Sequence, residues 1–253
     1  MFEPGEFEKA RKRLDEGLRI LTQREGASKR IGEETYAEVL MELMRLVLIQ
    51  NETISLTAIT EPEEFVDLHL LDSLSCVGLP ELDSAVKIVD IGCGPGFPGL
   101  PLAALYPDKQ FLLVDSLLKR IEFSEFAVSG LGLHNVDCLH TRAEKIGHEP
   151  SIREHFDLAL SRAVGKLPVI LEYCMPLVSV GGAGCFYKTI DAKIEIEESR
   201  LALKLLGGST NVKTLEYTDL LPGRRHALYI VKKERKTPER YPRREGIPSK
   251  VPL

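Results

Sequence analysis

The chain has no apolar stretch long enough to cross a bilayer, which excludes a protein anchored by membrane-spanning helices. It also lacks paired cysteines. The five present, at positions 76, 93, 138, 174 and 185, are odd in number, scattered, and contain no C-x-x-C pair. That argues against a disulfide framework and a zinc site, and no metal is expected. Four of them read as small buried hydrophobes; Cys93 is set apart by its place in a glycine loop. The N-terminus, Met1-Phe2-Glu3-Pro4-Gly5-Glu6, lacks the basic-then-apolar pattern of an export signal, so a cytoplasmic protein is expected. Repeats and low-complexity tracts are missing. So is the excess of positive charge that advertises a nucleic-acid binder: the formal net charge is −5.

That charge is unevenly placed. From Arg224 to Leu253 there are ten Lys and Arg against three Asp and Glu, while the middle of the chain is acidic. An acidic body with a basic end can hold an RNA if the basic residues gather around an active-site mouth. A basic end can equally be a solvated terminus. With 253 residues and 43% hydrophobic content, the chain suits one medium domain, or one domain with a small appendage. Nothing demands a dimer, and a monomer is expected.

What is present is most specific at Val89-Asp90-Ile91-Gly92-Cys93-Gly94-Pro95-Gly96-Phe97-Pro98-Gly99. An apolar strand leads into a carboxylate, glycines alternate with small residues, and a helical pattern begins near Pro98. Glycine there lets the backbone turn sharply and lie against a ligand, so the segment reads as a nucleotide cradle. Gly94-x-Gly96-x-x-Gly99 satisfies the dinucleotide fingerprint, with Asp115 as the ribose-binding acid roughly 20 residues on. A pyrophosphate, however, needs free N–H groups at the helix start, and Pro98 and Pro101 remove two of them. Asp90 adds a negative charge that would repel a pyrophosphate and favour an ammonium or sulfonium. S-adenosyl-L-methionine carries both cations and a ribose diol. The loop favours it over NAD.

Apolar residues Phe7, Ala10, Leu14, Leu18 and Leu21 predict a helix over about 6–24, and Val39, Leu40, Leu43, Leu46 and Val47 a second over 33–50. Thr60-Glu61-Pro62-Glu63 reads as a capping box opening a third helix to about Leu71. This helical extension spans residues 1–84. Over 85–233 strands and helices alternate, with strands at 86–91, 110–115, 135–140, 156–161, 184–188, 211–217 and 226–232. Helices are expected near 98–106, 117–130, 143–146, 167–174 and 194–206. Alternating units imply a mostly parallel sheet covered on both faces. The last pair, joined by a Leu221-Pro222-Gly223 turn, reads as antiparallel. The expected fold class is therefore α/β, a Rossmann-like methyltransferase of the adenosylmethionine-dependent kind. It has a mostly parallel seven-stranded sheet with an antiparallel final strand. Residues 234–253 form a basic tail.

Ligands of open α/β sheets bind outside the carboxyl ends of the strands. That rule gathers Asp90, Gly92, Gly94, Gly96 and Phe97, then Asp115 and Ser116, then Ala143 and Glu144, and finally Arg162, as candidate cofactor residues. Asp115 is placed to accept two hydrogen bonds from the ribose diol. About the acceptor, the evidence is negative. No N/D/S-P-P-Y/F motif follows the fourth strand, which reads Ser161-Arg162-Ala163-Val164 and disfavours methylation of an exocyclic amine. No Pro-Cys nucleophile stands there either, which disfavours pyrimidine C5 chemistry. Guanine N7 needs neither device, because it bears no proton; proximity and in-line orientation then carry the catalysis.

Six ordered blocks now point to a family. They are Leu56-Thr57-Ala58-Ile59 with His69-Leu70-Leu71-Asp72-Ser73-Leu74; Pro95-Gly96-Phe97-Pro98-Gly99; Asp115-Ser116-Leu117-Leu118-Lys119-Arg120; Arg142-Ala143-Glu144; Ser161-Arg162-Ala163; and the tail from Tyr241 to Leu253. In these, over essentially its whole length, the chain resembles the RsmG (GidB) family of bacterial ribosomal RNA methyltransferases. It departs from the family pattern at Gln50, Ser55 and Thr189. The resemblance implies S-adenosylmethionine-dependent methylation of guanine N7 in the 530 loop of 16S rRNA, at guanine 527 in the family's rRNA numbering. The partner is then 16S rRNA or the small ribosomal subunit. Another RNA site or a small molecule is the alternative acceptor. The resemblance also implies cofactor contacts at Gly92, Phe97, Asp115, Ala143, Glu144 and Arg162.

Arg162 and Lys188 are positioning candidates. Arg120, Arg142, Lys188, Arg225, Arg243, Arg244 and Lys250 are candidates for RNA phosphate contacts. His69, Asp72 and Ser73 lie along one helix face, whereas a hydrolytic triad converges from separate elements. They read instead as a polar helix end docking the extension onto the crevice.

Overall fold

A computed structural model describes residues 4–189, 193–221 and 223–253. The helices are α1 (Pro4–Leu21), α2 (Glu34–Asn51), α3 (Pro62–Phe65, running on as a π-helix over Val66–Leu71) and α4 (Pro80–Ser84). Then come β1 (Lys87–Ile91), α5 (Gly99–Leu105), β2 (Gln110–Asp115), α6 (Leu118–Gly130), β3 (Val136–His140) and α7 (Ala143–Ile146). The chain continues with β4 (Phe156–Arg162), α8 (Leu167–Cys174), β5 (Val178–Thr189), α9 (Lys193–Glu198), α10 (Arg200–Leu206), β6 (Lys213–Glu216), β7 (His226–Lys232) and α11 (Ile247–Lys250).

The seven strands form one sheet in the order β3-β2-β1-β4-β5-β7-β6. Pairs among β1 to β5 are parallel, and β7 pairs antiparallel with both β5 and β6. Successive strand residues face opposite sides, and the apolar cores divide accordingly. Ile88, Leu113, Leu160, Leu228 and Ile230 join one core with α1, α2, α5 and α6. Val89, Ile91, Val114, Ala159, Tyr229 and Val231 join the other with α8 and α10. The reversal of strand order lies between β1 and β4, so the carboxyl ends of those two strands open a crevice.

Several local expectations are revised. Proline fixes the first helical position of α3, which makes Glu61 the N-cap, without a side-chain cap bond. Thr60 lies one residue too early, so the expected capping box does not form. The helix expected over 194–206 is two segments divided at Ser199, whose hydroxyl donates to the Glu195 carbonyl in the turn before it. Strand β5 starts well before residue 184, because the Gly181-Gly182 pair is not a break. A Cβ on Gly182 would lie 2.5 Å from the Asp157 carbonyl of β4, so only glycine admits this approach. Pro222, in the expected turn before β7, lies outside the described residues. All five cysteines are free; Cys93 is as buried as Cys76, Cys174 and Cys185, its thiol pushed up by burial, whereas Cys138 on β3 is only partly buried, contrary to the expectation.

Candidate active site

Two cavities open at the carboxyl ends of the strands. The first, about 380 Å³, is lined by Ile91 and Gly92 at the end of β1, Val114 to Leu117 and Arg120 at the end of β2 and beyond it, and Thr141 to Glu144 after β3. Ala163, Val164, Tyr173 and Ser249 complete it. Its size suits a small-molecule ligand. Asp115 is anchored at its rim: Leu117 N–H donates to Oδ1 at 2.9 Å and Gly94 N–H to Oδ2 at 3.0 Å. Arg120 reaches Oδ2 only at 3.4 Å. A carboxylate has about four acceptor positions, so Asp115 is held rigidly yet keeps capacity for a vicinal diol. Glycine is required at position 92, where φ is +73° and a Cβ would meet Val164 at 2.3 Å.

The start of α5 offers nothing to a pyrophosphate. Gly99 N–H donates to Asp90 Oδ2 at 2.9 Å, Leu100 N–H to the Gly96 carbonyl, and Pro98 and Pro101 have no N–H. The role of Asp90 thus differs from the expected one. Strand alternation puts it beside Ile88 on the α5 side, fully buried, and it does not line the cavity. Burial pushes its carboxyl up to about 7, against the Gly99 hydrogen bond. It opposes a pyrophosphate by occupying a donor, not by projecting charge. A diol acceptor, mixed polar and apolar walls, and no phosphate cradle fit S-adenosylmethionine.

The second cavity, about 470 Å³, shares Ala163 with the first. Ala163 has φ +57°, the left-handed region that costs a non-glycine residue roughly 1 kcal/mol. This turn after β4 is the partition between the two spaces. The far wall is a buried network centred on Asp72. Its Oδ1 accepts from Tyr217 Oη at 2.8 Å and His226 Nδ1 at 3.0 Å, and Oδ2 from Arg162 Nη1 at 3.0 Å. Burial pushes the Asp72 carboxyl up, but the His226 hydrogen bond and the Arg162 charge outweigh it and hold it below the ordinary range. Arg162 also donates to the Leu68 carbonyl at 2.7 Å and to His69 Nδ1 at 2.9 Å. Because a guanidinium only donates, His69 Nδ1 must be the acceptor, and Nε2–H then faces Thr57 Oγ1 at 2.8 Å. Burial, with the neighbouring Arg162 charge, pushes His69 down to about 3 and keeps it neutral.

This geometry decides the His69, Asp72 and Ser73 block. Ser73 donates its hydroxyl to the His69 carbonyl within its own helix, so no triad exists. The block ties the helical layer to β4 and β7. Phe97 lines neither cavity: it stacks on His69 with centroids 4.9 Å apart and lies beneath Arg162. Gly94 and Gly96 shape the loop behind the first cavity, and Arg162 lines the second.

The sequence pattern that defines the GidB family, described as rRNA small subunit methyltransferase G, matches residues 36–223. The chain belongs to this family. A relative named Ribosomal RNA small subunit methyltransferase G, from Alkaliphilus metalliredigens, is 41% identical over 222 residues, spanning 87% of this chain and 88% of its own. Another of that name, from Clostridium beijerinckii, is 38% identical over 232 residues, spanning 90% and 95%. Among solved structures, a SAM-dependent methyltransferase from Aquifex aeolicus is 16% identical. It superposes with a TM-score of 0.50 over 66% of this chain and 92% of its own. That likeness shows the fold.

Within the GidB family fold, the basic candidates separate. Arg243 is not available to a phosphate: its guanidinium clasps the fully buried Glu172 carboxylate at 2.7–3.2 Å. Lys188 is committed to Glu195 at 2.7 Å and to the Gly165 carbonyl, on the wall of the second cavity. Arg120 lies inside the first cavity, and Arg142 at its mouth meets Glu245 at 3.3 Å. Arg225, Arg244 and Lys250 are exposed. Tyr173, Ser249, Tyr217, His226 and Asn51 were not singled out from the sequence. Asn51 Oδ1 accepts from Leu56 and Thr57 N–H at 2.8 and 3.0 Å and so positions Thr57 against His69. The side-chain position of a helix-ending Asn before a polar loop was the available signal. Tyr217 had none, because it reaches Asp72 only across the sheet.

Proposed function

We propose that the protein transfers the methyl group of S-adenosyl-L-methionine to N7 of a guanine in small-subunit ribosomal RNA, in the 530 loop of 16S rRNA. The observation that carries this reading is the pair of cavities meeting at Ala163, one with the features of a cofactor site and the other open for an acceptor base. The names of its relatives supply the class of acceptor. Bound in the first cavity, the cofactor supplies an electrophilic methyl group on a sulfonium. Asp115 orients the ribose, and Ala143, Glu144 and Tyr173 line the adenine end.

The second cavity supports N7 as the nucleophile because most of its polar groups are spent. Both ring nitrogens of His69 are engaged, Asp72 accepts three hydrogen bonds, and Arg162 is fixed by its three partners. No cysteine lines either cavity among the described residues. N7 brings its own lone pair and loses no proton, so positioning suffices. Arg162 and Lys188 stiffen the walls.

One observation favours a second reading. His226 Nδ1 faces the acceptor-only Asp72 carboxylate, so the neutral tautomer that donates there would present Nε2 as an acceptor on the cavity wall, the form of a general base. A base would serve an acceptor that must lose a proton. His226→Ala separates the two. An N7 acceptor predicts a loss in kcat of about tenfold or less, whereas removing a general base costs about 10²–10⁴-fold. The acceptor class is tested with labelled S-adenosylmethionine and unmethylated small subunits. Label entering rRNA is expected, and label entering only protein or a small metabolite overturns the proposal.

A further inference from the structure

The C-terminal segment is built into the protein and does not trail from it. Arg243 places Nε and Nη2 on both oxygens of Glu172, and its backbone N–H adds a bond to Oε1 at 2.8 Å. Arg153 donates to the carbonyls of Thr237 at 2.7 Å and Tyr241 at 2.8 Å. His148 Nε2 is 2.7 Å from the Pro242 carbonyl, and Pro242 packs so closely on Gly147 that a Cβ there would lie 2.6 Å away. These contacts bring Gly246 N–H within 2.9 Å of Glu144 Oε1, and Ser249 onto the wall of the first cavity beside Tyr173.

We propose that residues 241–253 form a wall of the cofactor site, with Ser249 a cofactor-site residue and Glu172 and Arg243 its positioning pair. The proposal rests on the reading of that cavity as the S-adenosylmethionine site. Glu144 and Tyr173 sit on α7 and α8 of the core, and the terminal segment adds Ser249 to the lining beside them. Gly246 N–H holds one oxygen of Glu144, and the Tyr173 side chain also hydrogen-bonds that carboxylate, so its orientation is fixed from both the terminal segment and the core. An undocked segment would leave the adenine end open to water and Glu144 held from the core alone. Arg244, Ser249 and Lys250 are all exposed, so one short segment borders the open side of the cavity through Ser249 and carries its basic side chains in solvent.

The test is calorimetric titration of S-adenosylhomocysteine into the full-length protein without RNA. Arg243→Gln, which unpins the segment, is expected to weaken binding at least tenfold. Ser249→Phe leaves the pin intact and projects a ring into the cavity, and it is expected to weaken binding as strongly while the thermal midpoint stays near that of the wild type. If both variants bind within twofold of wild type, the segment is not part of the site and the proposal is overturned. If wild type itself fails to bind, the cofactor reading falls as well, so the two failures are distinguishable.

Discussion

Asp72→Asn attacks the single carboxylate that joins three separate elements of the fold. The change keeps shape and volume but replaces one oxygen by an amide that can only donate. Oδ2 faces Arg162 and Oδ1 faces Tyr217 and His226, all of them donors. With the amide toward Arg162 a donor meets a donor; with it toward Tyr217 and His226 the hydroxyl and the imidazole must reorganise to accept. Either way Arg162 loses its charged partner in a site where Asp72 is only 4% exposed. Breaking a buried, hydrogen-bonded charge pair from one side costs about 3–5 kcal/mol. For a chain of this size each kcal/mol lowers the thermal midpoint by about 2–4 °C, so a fall of about 6–20 °C is expected. The carboxyl is held below its ordinary range, so its contribution is complete above the unfolded value near 4 and is lost as pH falls through the lower folded value. The deficit should therefore be full at pH 7. Calorimetric or fluorescence melts of wild type and variant at that pH measure it. A midpoint within 2 °C of wild type would refute the network as the joint between the helical layer, β4 and β7.

Asp115→Ala should weaken S-adenosylmethionine binding by about 1–3 kcal/mol, the range for hydrogen bonds to a charged group; unchanged affinity in a titration removes Asp115 from the ribose role. Asp90→Asn keeps an acceptor for Gly99 N–H and should change that affinity by less than about threefold, since the side chain lies outside the cavity. A tenfold change would restore the charge-projection role. His69, pushed from 6.5 down to about 3, stays neutral in the fold while the unfolded chain gains a proton, so its contribution to stability falls as pH drops through that interval. Urea unfolding should show wild type losing on the order of 2–3 kcal/mol more than His69→Gln between pH 6.5 and 4.5; equal losses would mean the imidazole titrates freely.

The fold was legible because its signals are local. Strand–helix alternation is carried by short apolar runs, and the glycine loop by residues adjacent in sequence. Strand alternation would also have corrected Asp90, since it shares a face with Ile88, away from the cavity. Other features depended on contacts that no local pattern encodes. The Asp72 hub draws on Arg162, Tyr217 and His226, which lie 90 to 154 positions away in the chain. The tail read as basic because arginines are charged wherever they stand, yet Arg243 is neutralised by a buried glutamate 71 positions earlier. Charge counting shows how many cations there are. It does not show which are already spent.

The most direct measurement is the identity of the modified atom. Small subunits methylated by the purified protein, with their rRNA extracted, reduced and treated with aniline, should be cleaved at one new position, a guanine in the 530 loop, because 7-methylguanosine alone there gives a labile site. Methyl label entering the rRNA without that cleavage, or cleavage elsewhere, would contradict N7 of that guanine as the acceptor.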